Sequence, residues 1–304
     1  MKKDPQLVIV GSIGIDTIET PFEKREEILG GAVSYACMAA SFFTRPGMVG
    51  VVGTDFPAEY RAAWEKAGID LAGLQTQEGQ TFRWGGVYEG NMDSRSTLFT
   101  ELNVFENFSP ELPESYRGAP YLFLANIAPE LQLHVLDQMR APKFVLLDTM
   151  DLWINIARAK LLEVISRCTM LTLNESEARL LTETHSLLDA AGKLLELGPE
   201  YVLIKKGSAG SMLVSKKGIA LQHAYPLEKV TDPTGAGDTF AGGLIGALAE
   251  SGKTDERSIR RAMIYGSITA AFGVEEFSQQ RLEEIDRAQI ERRVERFKTM
   301  CRID

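Results

Sequence analysis

Two carboxylates that frame a turn of small residues are the part of this chain best suited to chemistry. The segment reads Asp232-Pro-Thr-Gly-Ala-Gly-Asp238, and apolar residues then recur every four positions from Phe240 to Leu248. This spacing predicts a helix that begins at Gly235-Ala-Gly237. The first N–H groups of a helix have no internal partner and carry partial positive charge, so an anion can approach them where side chains are small. We therefore predict an anion-binding turn beside Asp238, which suits the transfer of a phosphoryl group onto a hydroxyl.

Five short apolar runs predict the strands that must position such a site. They are Leu7–Val10, Tyr121–Leu124, Phe144–Leu147, Met170–Leu173 and Tyr201–Ile204. Runs of this length between helical segments are typical of parallel strands buried on both faces. Helical patterns lie between them, as in Pro129–Arg140, Ser176–Thr184 and Ser186–Leu197. The sequence therefore predicts an α/β fold with a doubly wound, mainly parallel sheet flanked by helices.

Polar residues follow several of these runs, at the points where the predicted strands end. They are Asp16, Asn126, Asp148, Asn174 and Lys205-Lys206-Gly207. In open α/β sheets, ligands bind outside the carboxyl ends of the strands. We therefore expect these side chains, which are distant in sequence, to line one crevice. At Asn126 the alternative is a polar residue that only closes its strand.

Residues 76–105 do not continue the alternation of apolar runs and helical segments. Thr81–Glu89 and Arg95–Glu101 alternate apolar and polar residues, and Gly90-Asn91 between them is a turn candidate, which predicts an antiparallel flap. Aromatic residues on a small flap indicate that it covers a site or pairs with a second copy of itself; the alternative is an ordinary surface hairpin. At the other end of the chain, the mixed charges of Arg281–Lys298 predict a solvated C-terminal helix.

Composition excludes several classes of protein. The net charge of −9 over 304 residues argues against a nucleic-acid-binding surface, which needs clustered Lys and Arg. No apolar run approaches the 18 residues of a membrane span, so we expect no membrane partner. The three cysteines are far apart, as expected for reduced thiols in a cytoplasmic protein rather than for disulfides or a zinc site.

The segment from Asp232 to Phe240 closely resembles the second signature of the ribokinase-like, or PfkB, family of carbohydrate and nucleoside kinases. Further marks of that family occur in order along nearly the whole chain: Gly30-Gly31, Asn174-Glu-Ser-Glu177 and the loop Lys205–Gly210. The resemblance implies one kinase domain over residues 1–304, with a β lid contributed by about residues 14–30 and 76–105. It also implies an ATP-dependent, Mg²⁺-requiring transfer of the γ-phosphoryl group to a hydroxyl of a small sugar or sugar-like substrate.

The resemblance gives the residues of the anion-binding turn specific roles. Asp238 would be the catalytic base, and the amides of Gly235, Ala236 and Gly237 would hold the developing charge. We expect the helix N-terminus to keep the Asp238 carboxylate ionised, which suits a base but weakens it. Asp232 and Thr234 match positions that help to form a monovalent-cation site, for example for K⁺; the alternative for Asp232 is a plain cap or turn residue.

The resemblance also assigns a nucleotide site. Asn174 and Glu177 match the family's Asn-x-x-Glu motif, whose oxygen atoms suit Mg²⁺, although the same two residues fit a helix N-cap and its capping-box partner. The family counterpart of the loop containing Lys206, Gly207 and Gly210 lies along the ATP phosphates and ribose; the alternative is a hairpin turn. The adenine site would lie around Gly266-Ser267 and Gly273–Ser278.

The substrate half departs from the family pattern. Asp16 matches an aspartate that binds substrate hydroxyls, and Gly30 and Gly31 match the pair that lines the sugar site. Many sugar kinases continue with Gly-Gly-Ala-x-x-Asn, but here Tyr35 stands where that Asn would be. A tyrosine can donate a hydrogen bond or stack, so the usual sugar contacts are in question.

Residues outside that motif complete the predicted acceptor site. Arg83 and Trp84 of the flap would add charge recognition or stacking, and Asn126 would face the same crevice. Because Tyr35 and the aromatic flap could also receive a base, a nucleoside kinase on the same scaffold is the alternative. A non-catalytic regulator that binds sugar or nucleotide is a further one. The flap also suggests a homodimer in which each hairpin helps to close a site.

Overall fold

The structure is a computed structural model, and it describes residues 4–90, 92 and 95–302. Nine strands of this part form one sheet: β1 (Leu7–Val10), β4 (Pro46–Gly53), β5 (Asp70–Gln77), β8 (Tyr121–Leu124), β9 (Phe144–Asp148), β10 (Met170–Asn174), β11 (Tyr201–Lys205), β12 (Ser211–Ser215) and β13 (Gly218–Gln222). Four more form a second sheet: β2 (Gly14–Glu19), β3 (Lys24–Gly30), β6 (Phe82–Tyr88) and β7 (Arg95–Glu101).

The helices connect these strands in the alternating order that the sequence predicts. They are α1 (Ala32–Ser41), α2 (Ala58–Lys66), α3 (Pro129–Gln138), α4 (Asp151–Ile156), α5 (Arg158–Ile165), α6 (Glu175–Thr182), α7 (Leu187–Glu196), α8 (Ala236–Ser251), α9 (Glu256–Gly273), α10 (Gln280–Glu284) and α11 (Arg287–Met300). None of the helices in the described residues is long and apolar enough to span a membrane.

The large sheet has the strand order β13-β12-β11-β10-β9-β8-β1-β4-β5. Its strands pair in parallel from β5 to β11, and only β12 and β13 are added antiparallel. Alternate residues of β1 belong to different cores: Leu7 and Ile9 pack with α1, α8 and α9, while Val8 and Val10 pack with α3, α5, α6 and α7. The prediction of a doubly wound sheet with helices on both faces is therefore confirmed.

Each of the five predicted apolar runs forms a strand, and three of the strands extend one residue further than predicted. The added residues are the polar ones: Asp148 ends β9, Asn174 ends β10 and Lys205 ends β11. Since β9, β10 and β11 are adjacent and parallel, their carboxyl ends meet at one edge of the sheet. That edge is where the candidate site lies.

The second sheet has the order β3-β2-β6-β7. Its outer pairs are antiparallel and its central β2–β6 pair is parallel. Strand β7 forms an edge and is exposed along its whole length, including the apolar side chains of Leu98 and Phe99. The predicted turn at Gly90-Asn91 lies only partly within the structure, because Asn91 is outside the described residues.

Helix α8 packs closely against its neighbours because three of its residues lack side chains. A Cβ atom on Gly242 or Gly246 would collide with the backbone of α1, and one on Gly243 would collide with Thr269 of α9. The helix ends at Gly252, which adopts the left-handed conformation (φ 66°) typical of a helix C-terminus. This packing fixes the start of α8 relative to the sheet.

The single solvated C-terminal helix predicted for Arg281–Lys298 is wrong. The chain breaks between α10 and α11, because Asp286 caps α11 through a capping box with Gln289. Nor is α11 fully solvated, since Ile290, Val294 and Phe297 are buried in the core. Charged residues on the other face of α11 dominate its composition, so composition alone does not reveal this apolar stripe.

Candidate active site

The start of α8 presents free backbone donors, as the turn motif predicts. Gly235 is the N-cap with a left-handed backbone (φ 70°), and no side chain caps the helix. The ring of Tyr35 packs against Gly235 so closely that a Cβ atom there would collide with it. Glycine is therefore required at this position for both its conformation and its lack of a side chain. The amide of Ala236 donates to the carbonyl of Pro233 at 3.2 Å, and the other first amides of α8 are left to a ligand.

Asp238 lies in the first turn of α8 and is half-buried. Burial raises the pKa of its carboxyl to about 7; the charge of Asp148 raises it too, while Lys205 and Arg95 lower it. The expectation that the helix N-terminus would weaken this carboxylate as a base is wrong, because burial makes the largest contribution to its pKa and raises it. A carboxylate with a pKa near 7 is a stronger base than an ordinary aspartate.

A buried ion pair lies beside this carboxylate. The Lys205 ammonium donates a 2.7 Å hydrogen bond to Asp148 Oδ2, and the two side chains are 17% and 5% exposed. The same ammonium is 3.1 Å from the position that a Cβ atom would take on Gly237. Although burial lowers it, the negative charges of Asp148 and Glu177 raise the pKa of Lys205 above its usual value, so the lysine remains charged.

Asp232, at the other end of the motif, is buried and shapes the turn. Its Oδ1 accepts the amide of Thr234 at 2.9 Å, and its Oδ2 accepts the amide of Ser278 at 3.5 Å. The hydroxyl of Thr234 in turn donates to Tyr88 of β6 at 3.1 Å. Burial raises the pKa of Asp232, although the bonds from Thr234 oppose the shift. Asp232 thus connects the anion-binding turn to the second sheet and to the loop after α9.

Asp16 points inward from β2 and is 4% exposed. A Cβ atom on Gly30 would collide with its carboxylate, so Gly30 makes room for Asp16. Burial raises the pKa of Asp16 to about 8; Asp232 raises it further, and Arg95 lowers it. Oδ1 of Asp16 is buried and has no hydrogen-bond partner in the described residues. Gly31, the N-cap of α1 (φ 94°), lies against the backbone of Ser12–Gly14.

Tyr35 occupies the centre of this group. Its side chain is 2% exposed, and its hydroxyl is buried without a partner in the part of the chain that the structure describes. Burial raises the pKa of the phenol well above its usual value, and Asp232, Asp16 and Asp238 act on it in the same direction. Because the ring is covered by Gly235, only the hydroxyl is available to a substrate and no ring face remains for stacking.

Asn174 and Glu177 form the capping box that the sequence leaves open as an alternative. Asn174 Oδ1 accepts the amide of Glu177 at 2.9 Å, and Glu177 Oε2 accepts the amide of Asn174 at 2.7 Å. Burial raises the pKa of Glu177 to about 7, with Lys205 lowering it and Asp148 raising it. The capping box uses only one carboxylate oxygen, so a metal-binding role is compatible with it.

The loop after β11 forms the predicted turn between two strands. Gly207–Ala209 make one 3₁₀ turn, and the amide of Lys206 donates to the carbonyl of Gly210 at 2.8 Å. Gly210 (φ 92°) packs against the backbone of Gln222. Ser267 lies near the end of β13: its hydroxyl accepts the amide of Tyr225 at 3.3 Å. These residues border the same edge of the sheet as Lys205.

The structure does not bring Arg83 and Asn126 into this group. In the β2–β6 register Ile15 is opposite Arg83 and Asp16 is opposite Trp84, so Arg83 and Asp16 point to opposite faces. Arg83 pairs with Glu27 and, at 3.6 Å, with Asp55.

Asn126 is held by residues of the β9–α4 segment. Its Oδ1 accepts the indole N–H of Trp153 at 2.8 Å, and its Nδ2 lies 3.1 Å from Met150 Sδ. This is the closing role that the sequence offers as an alternative, although a substrate contact at the crevice remains a prediction.

Two residues of the second sheet reach the site without an assigned role in the sequence. Tyr88 bonds Thr234, and Arg95 acts on the charges of Asp16 and Asp238. Tyr88 and Arg95 are opposite each other in the β6–β7 hairpin. Their positions on either side of the predicted turn were the signal in the sequence that could have identified this pairing. The ring of Trp84 already has two neighbours: Gly86 packs against it, and Arg95 lies over it with Cζ at 5.3 Å from its centre.

Comparison with known proteins decides the family. The model of the pfkB family carbohydrate kinases matches residues 5–280. The chain belongs to this family. The resemblance of the segment from Asp232 to Phe240 to this family is confirmed by this match, and so is the predicted enzyme class: the protein is an ATP-dependent phosphotransferase with a hydroxyl group as acceptor.

Individual relatives span nearly the whole molecule. A cytidine kinase of Thermococcus kodakarensis is 32% identical over 259 residues, which cover 82% of this chain and 91% of that protein. The fold is similar to that of a Giardia lamblia ribokinase, with a TM-score of 0.81, 19% identity, and coverage of 97% of this chain and 100% of that one. It is also similar to an E. coli protein assigned as ribokinase II in complex with ATP and Mg²⁺ (TM-score 0.77, 18% identity, 97% and 100% coverage).

Proposed function

We propose that the protein transfers the γ-phosphoryl group of ATP to a hydroxyl of a sugar or nucleoside, with Asp238 as the base. The observation that carries this proposal is the half-buried Asp238 carboxylate at the uncapped start of α8, whose pKa is raised to about 7. Asp238 would take the proton of the acceptor hydroxyl as its oxygen attacks phosphorus. General-base catalysis of this kind contributes about 10²–10⁴-fold to the rate.

The donor phosphates would lie across the amides of Gly235, Ala236 and Gly237. Backbone donors fixed in place before the reaction stabilise charge that develops in the transition state, and this is usually the largest contribution to catalysis. The loop of Lys206, Gly207 and Gly210 would run along the rest of the nucleotide, with Ser267 at its adenine end. Each of these residues borders the same edge of the sheet.

The carboxylate oxygen atoms near the strand ends are suitable ligands for Mg²⁺ bound together with ATP. Mg²⁺ usually meets a protein through one or two carboxylates and keeps several waters, and Glu177 has one carboxylate oxygen outside its capping box. No cluster of three or more metal-ligating side chains occurs in residues 4–90, 92 and 95–302; the phosphates of ATP and water would supply the other ligands. Bound Mg²⁺ would neutralise phosphate charge.

The acceptor would be bound by Asp16 and the hydroxyl of Tyr35, over the floor made by Gly30 and Gly31. Asp16 Oδ1 and the Tyr35 hydroxyl are buried polar atoms without partners in the described residues, and such atoms are costly unless a ligand satisfies them. Two adjacent unpaired groups suit a substrate with neighbouring hydroxyls. This holds for a free sugar and for the ribose of a nucleoside.

A nucleoside is a specific second candidate, because the cytidine kinase is 32% identical over 82% of this chain. The base would not stack on Trp84 or Tyr35, since both rings already pack against other residues.

We propose further that Asp232 supports a monovalent cation such as K⁺, because it is a buried carboxylate next to the anion-binding turn. We also propose a homodimer formed through the exposed edge strand β7 and its apolar residues Leu98 and Phe99, and a cytoplasmic location, in keeping with three unpaired cysteines.

The test is an activity panel with ATP and Mg²⁺ against ribose, fructose, keto-deoxy sugar acids and nucleosides, run with the wild type and with Asp238→Asn. We expect the wild type to phosphorylate at least one acceptor, and the variant to lose that activity while still binding ATP. Turnover of nucleosides alone would identify the acceptor as a nucleoside. A fully active Asp238→Asn enzyme would overturn the assignment of the base.

A further inference from the structure

The Asp148–Lys205 ion pair is an unusual feature of the donor site. In the sheet, Asp148 is level with Thr172 and Lys205 is level with Asn174, so the pair spans the end of β10 to join β9 and β11. The 2.7 Å bond holds the lysine side chain across the strand end rather than out in solvent. A flexible lysine is thereby fixed at the edge of the sheet, where the α8 turn begins.

The ammonium of Lys205 has donors to spare. It carries three N–H groups, and its hydrogen bond to Asp148 is the one recorded among the described residues. It lies beside Gly237, at 3.1 Å from the position of an added Cβ atom, so the ammonium packs directly against this backbone. A group bound at the α8 amides would therefore be within reach of Lys205.

The Asp148–Lys205 ion pair contributes little to the stability of the fold. A buried ion pair loses about as much in desolvation as it gains in attraction, and well-packed apolar residues are often as stable in its place. In contrast, a charged donor fixed in a site of low polarity stabilises developing negative charge strongly. The lysine is also surrounded by carboxylates, Asp148, Glu177 and Asp238, so a phosphate at this point needs a cation close to it.

We propose that Lys205 is a catalytic residue that binds the transferred phosphoryl group beside the start of α8, and that Asp148 is a positioning residue that orients it. This inference rests on the proposed function and adds a residue to it. In the reaction the bond between the γ-phosphorus and its bridging oxygen breaks, and a bond to the acceptor oxygen forms. The proton passes to Asp238, and Lys205 keeps its protons throughout.

The first test measures nucleotide binding, without turnover. Titration calorimetry would compare ATP and ADP for the wild type, for Lys205→Met and for the control Lys160→Met. Lys160 is the matched control, because it too pairs with a carboxylate (Glu163, 3.0 Å) but is about half exposed on α5. We expect Lys205→Met to weaken ATP binding about tenfold or more, the size of one charge-assisted hydrogen bond, with ADP much less affected. Equal losses for ATP and ADP would overturn the proposal.

The second test uses the opposite effects of the two partners on Asp238. The charged groups that face this carboxylate are Asp148, which raises its pKa, and Lys205 and Arg95, which lower it. The acid limb of kcat/KM should therefore move to higher pH in Lys205→Met and to lower pH in Asp148→Asn. We also expect kcat to fall about 100-fold or more in Lys205→Met. Limbs that move in the same direction, or an unchanged kcat, would contradict the proposal.

A double variant is the control for the case in which a single variant fails to fold. Asp148→Asn/Lys205→Met removes both charges of the ion pair together, so neither partner is left buried without the other. It should fold even where a single variant does not, and it should retain the loss of preference for ATP over ADP. If that preference returned to the wild-type value, Lys205 would have no phosphate contact. The outcomes separate the two proposals: an inactive Asp238→Asn with a normal ATP preference in Lys205→Met would reject the lysine and leave the base in place.

Discussion

The donor end of the site and its acceptor end are built in different ways. The donor end comprises Asp148, Glu177, Lys205 and the turn from Gly235 to Asp238, and each of these residues lies at the end of a parallel strand or the start of a helix. The acceptor end comprises Asp16, Gly30, Gly31 and Tyr35, contributed by the second sheet and α1.

The polar groups of the two ends also differ in their partners. At the donor end the polar side chains have partners: Lys205 donates to Asp148, and the side chains of Asn174 and Glu177 each accept the other residue's backbone amide. At the acceptor end Asp16 Oδ1 and the Tyr35 hydroxyl are buried and unpaired within the described residues. The donor end is thus preorganised without a ligand, whereas the acceptor end needs a substrate to satisfy it. We infer that the residues of the donor end determine the reaction, and that the few unpaired polar atoms of the acceptor end determine which substrate is phosphorylated.

The contact between the two ends is the most sensitive point of the comparison. Gly235→Ala would force a left-handed residue to carry a Cβ atom that collides with the Tyr35 ring. We expect a loss of stability on the order of 2–4 kcal/mol from strain and overpacking, and a fall in kcat/KM of about 100-fold or more as the amides move. Thermal unfolding and steady-state kinetics would check this.

The control for that variant is Gly192→Ala. Gly192 lies in α7, and a Cβ atom there would meet nothing within 4 Å. This change should leave activity intact and keep or raise stability, because alanine is the better helix former. If Gly235→Ala behaved like Gly192→Ala, the close contact between the two ends would not exist.

Asp16→Asn tests whether the acceptor end acts independently of the donor end. Replacing the carboxyl group by an amide should raise KM for the acceptor about 10–100-fold, because the hydrogen-bonding group that has no other partner is altered, and should leave the Kd for ATP unchanged. Asp137→Asn, in an exposed ion pair with Arg167, is the control and should alter neither. A larger effect on ATP than on the acceptor would contradict the division into two ends.

The pKa values of both ends predict how stability depends on pH. Asp16, Glu177 and Asp238 have folded pKa values of about 8, 7 and 7, above their ordinary values near 4. Between those values the folded state binds more protons than the unfolded state, so stability is highest below pH 4 to 5 for these groups and falls as pH rises toward 8. The melting temperature of the ligand-free protein should therefore decrease from pH 5 to pH 8.

Asp16→Asn supplies the comparison for that measurement, because it removes the group with the highest of the three pKa values. The variant should lose less stability than the wild type between pH 5 and pH 8. A melting temperature that rose over this range in the wild type would show that ionisation of these carboxylates does not destabilise the folded state.

Tyr35→Phe has the smallest expected effect. It removes a buried hydroxyl that has no partner in the described residues, so stability should stay the same or increase by up to about 1 kcal/mol. The KM for the acceptor should rise severalfold if the hydroxyl binds substrate. An unchanged KM would leave the ring only its packing role against Gly235, and the acceptor end would then depend on Asp16 alone.

The sequence predicts the donor end well because its residues lie in short motifs tied to strand ends and helix starts. The Asp232–Asp238 segment alone indicates the anion-binding turn, and the apolar runs indicate the strand ends where Asn174 and Lys205 lie. The pKa of Asp238 was predicted in the wrong direction, because burial depends on the packing of α1 and the second sheet over the turn. No local pattern contains that information.

The acceptor end is harder to predict because strand register decides which side chains face inward. Arg83 and Asp16 appear equally suitable in the sequence, yet the β2–β6 register places them on opposite faces. The β6–β7 register pairs Tyr88 with Arg95, which have no motif; Tyr88 bonds Thr234, and the charge of Arg95 acts on Asp16. Similarly, the stacking role expected for Tyr35 depends on a ring face that Gly235 covers.

Whether Asp238 is the base of phosphoryl transfer can be measured in a rapid-quench single-turnover experiment. Wild type and Asp238→Asn would each be mixed with saturating ATP, Mg²⁺ and an acceptor identified by the panel. We predict that the variant binds ATP with a Kd close to that of the wild type but transfers the phosphoryl group about 10²–10⁴-fold more slowly. A transfer rate equal to that of the wild type, with ATP bound, would contradict the account.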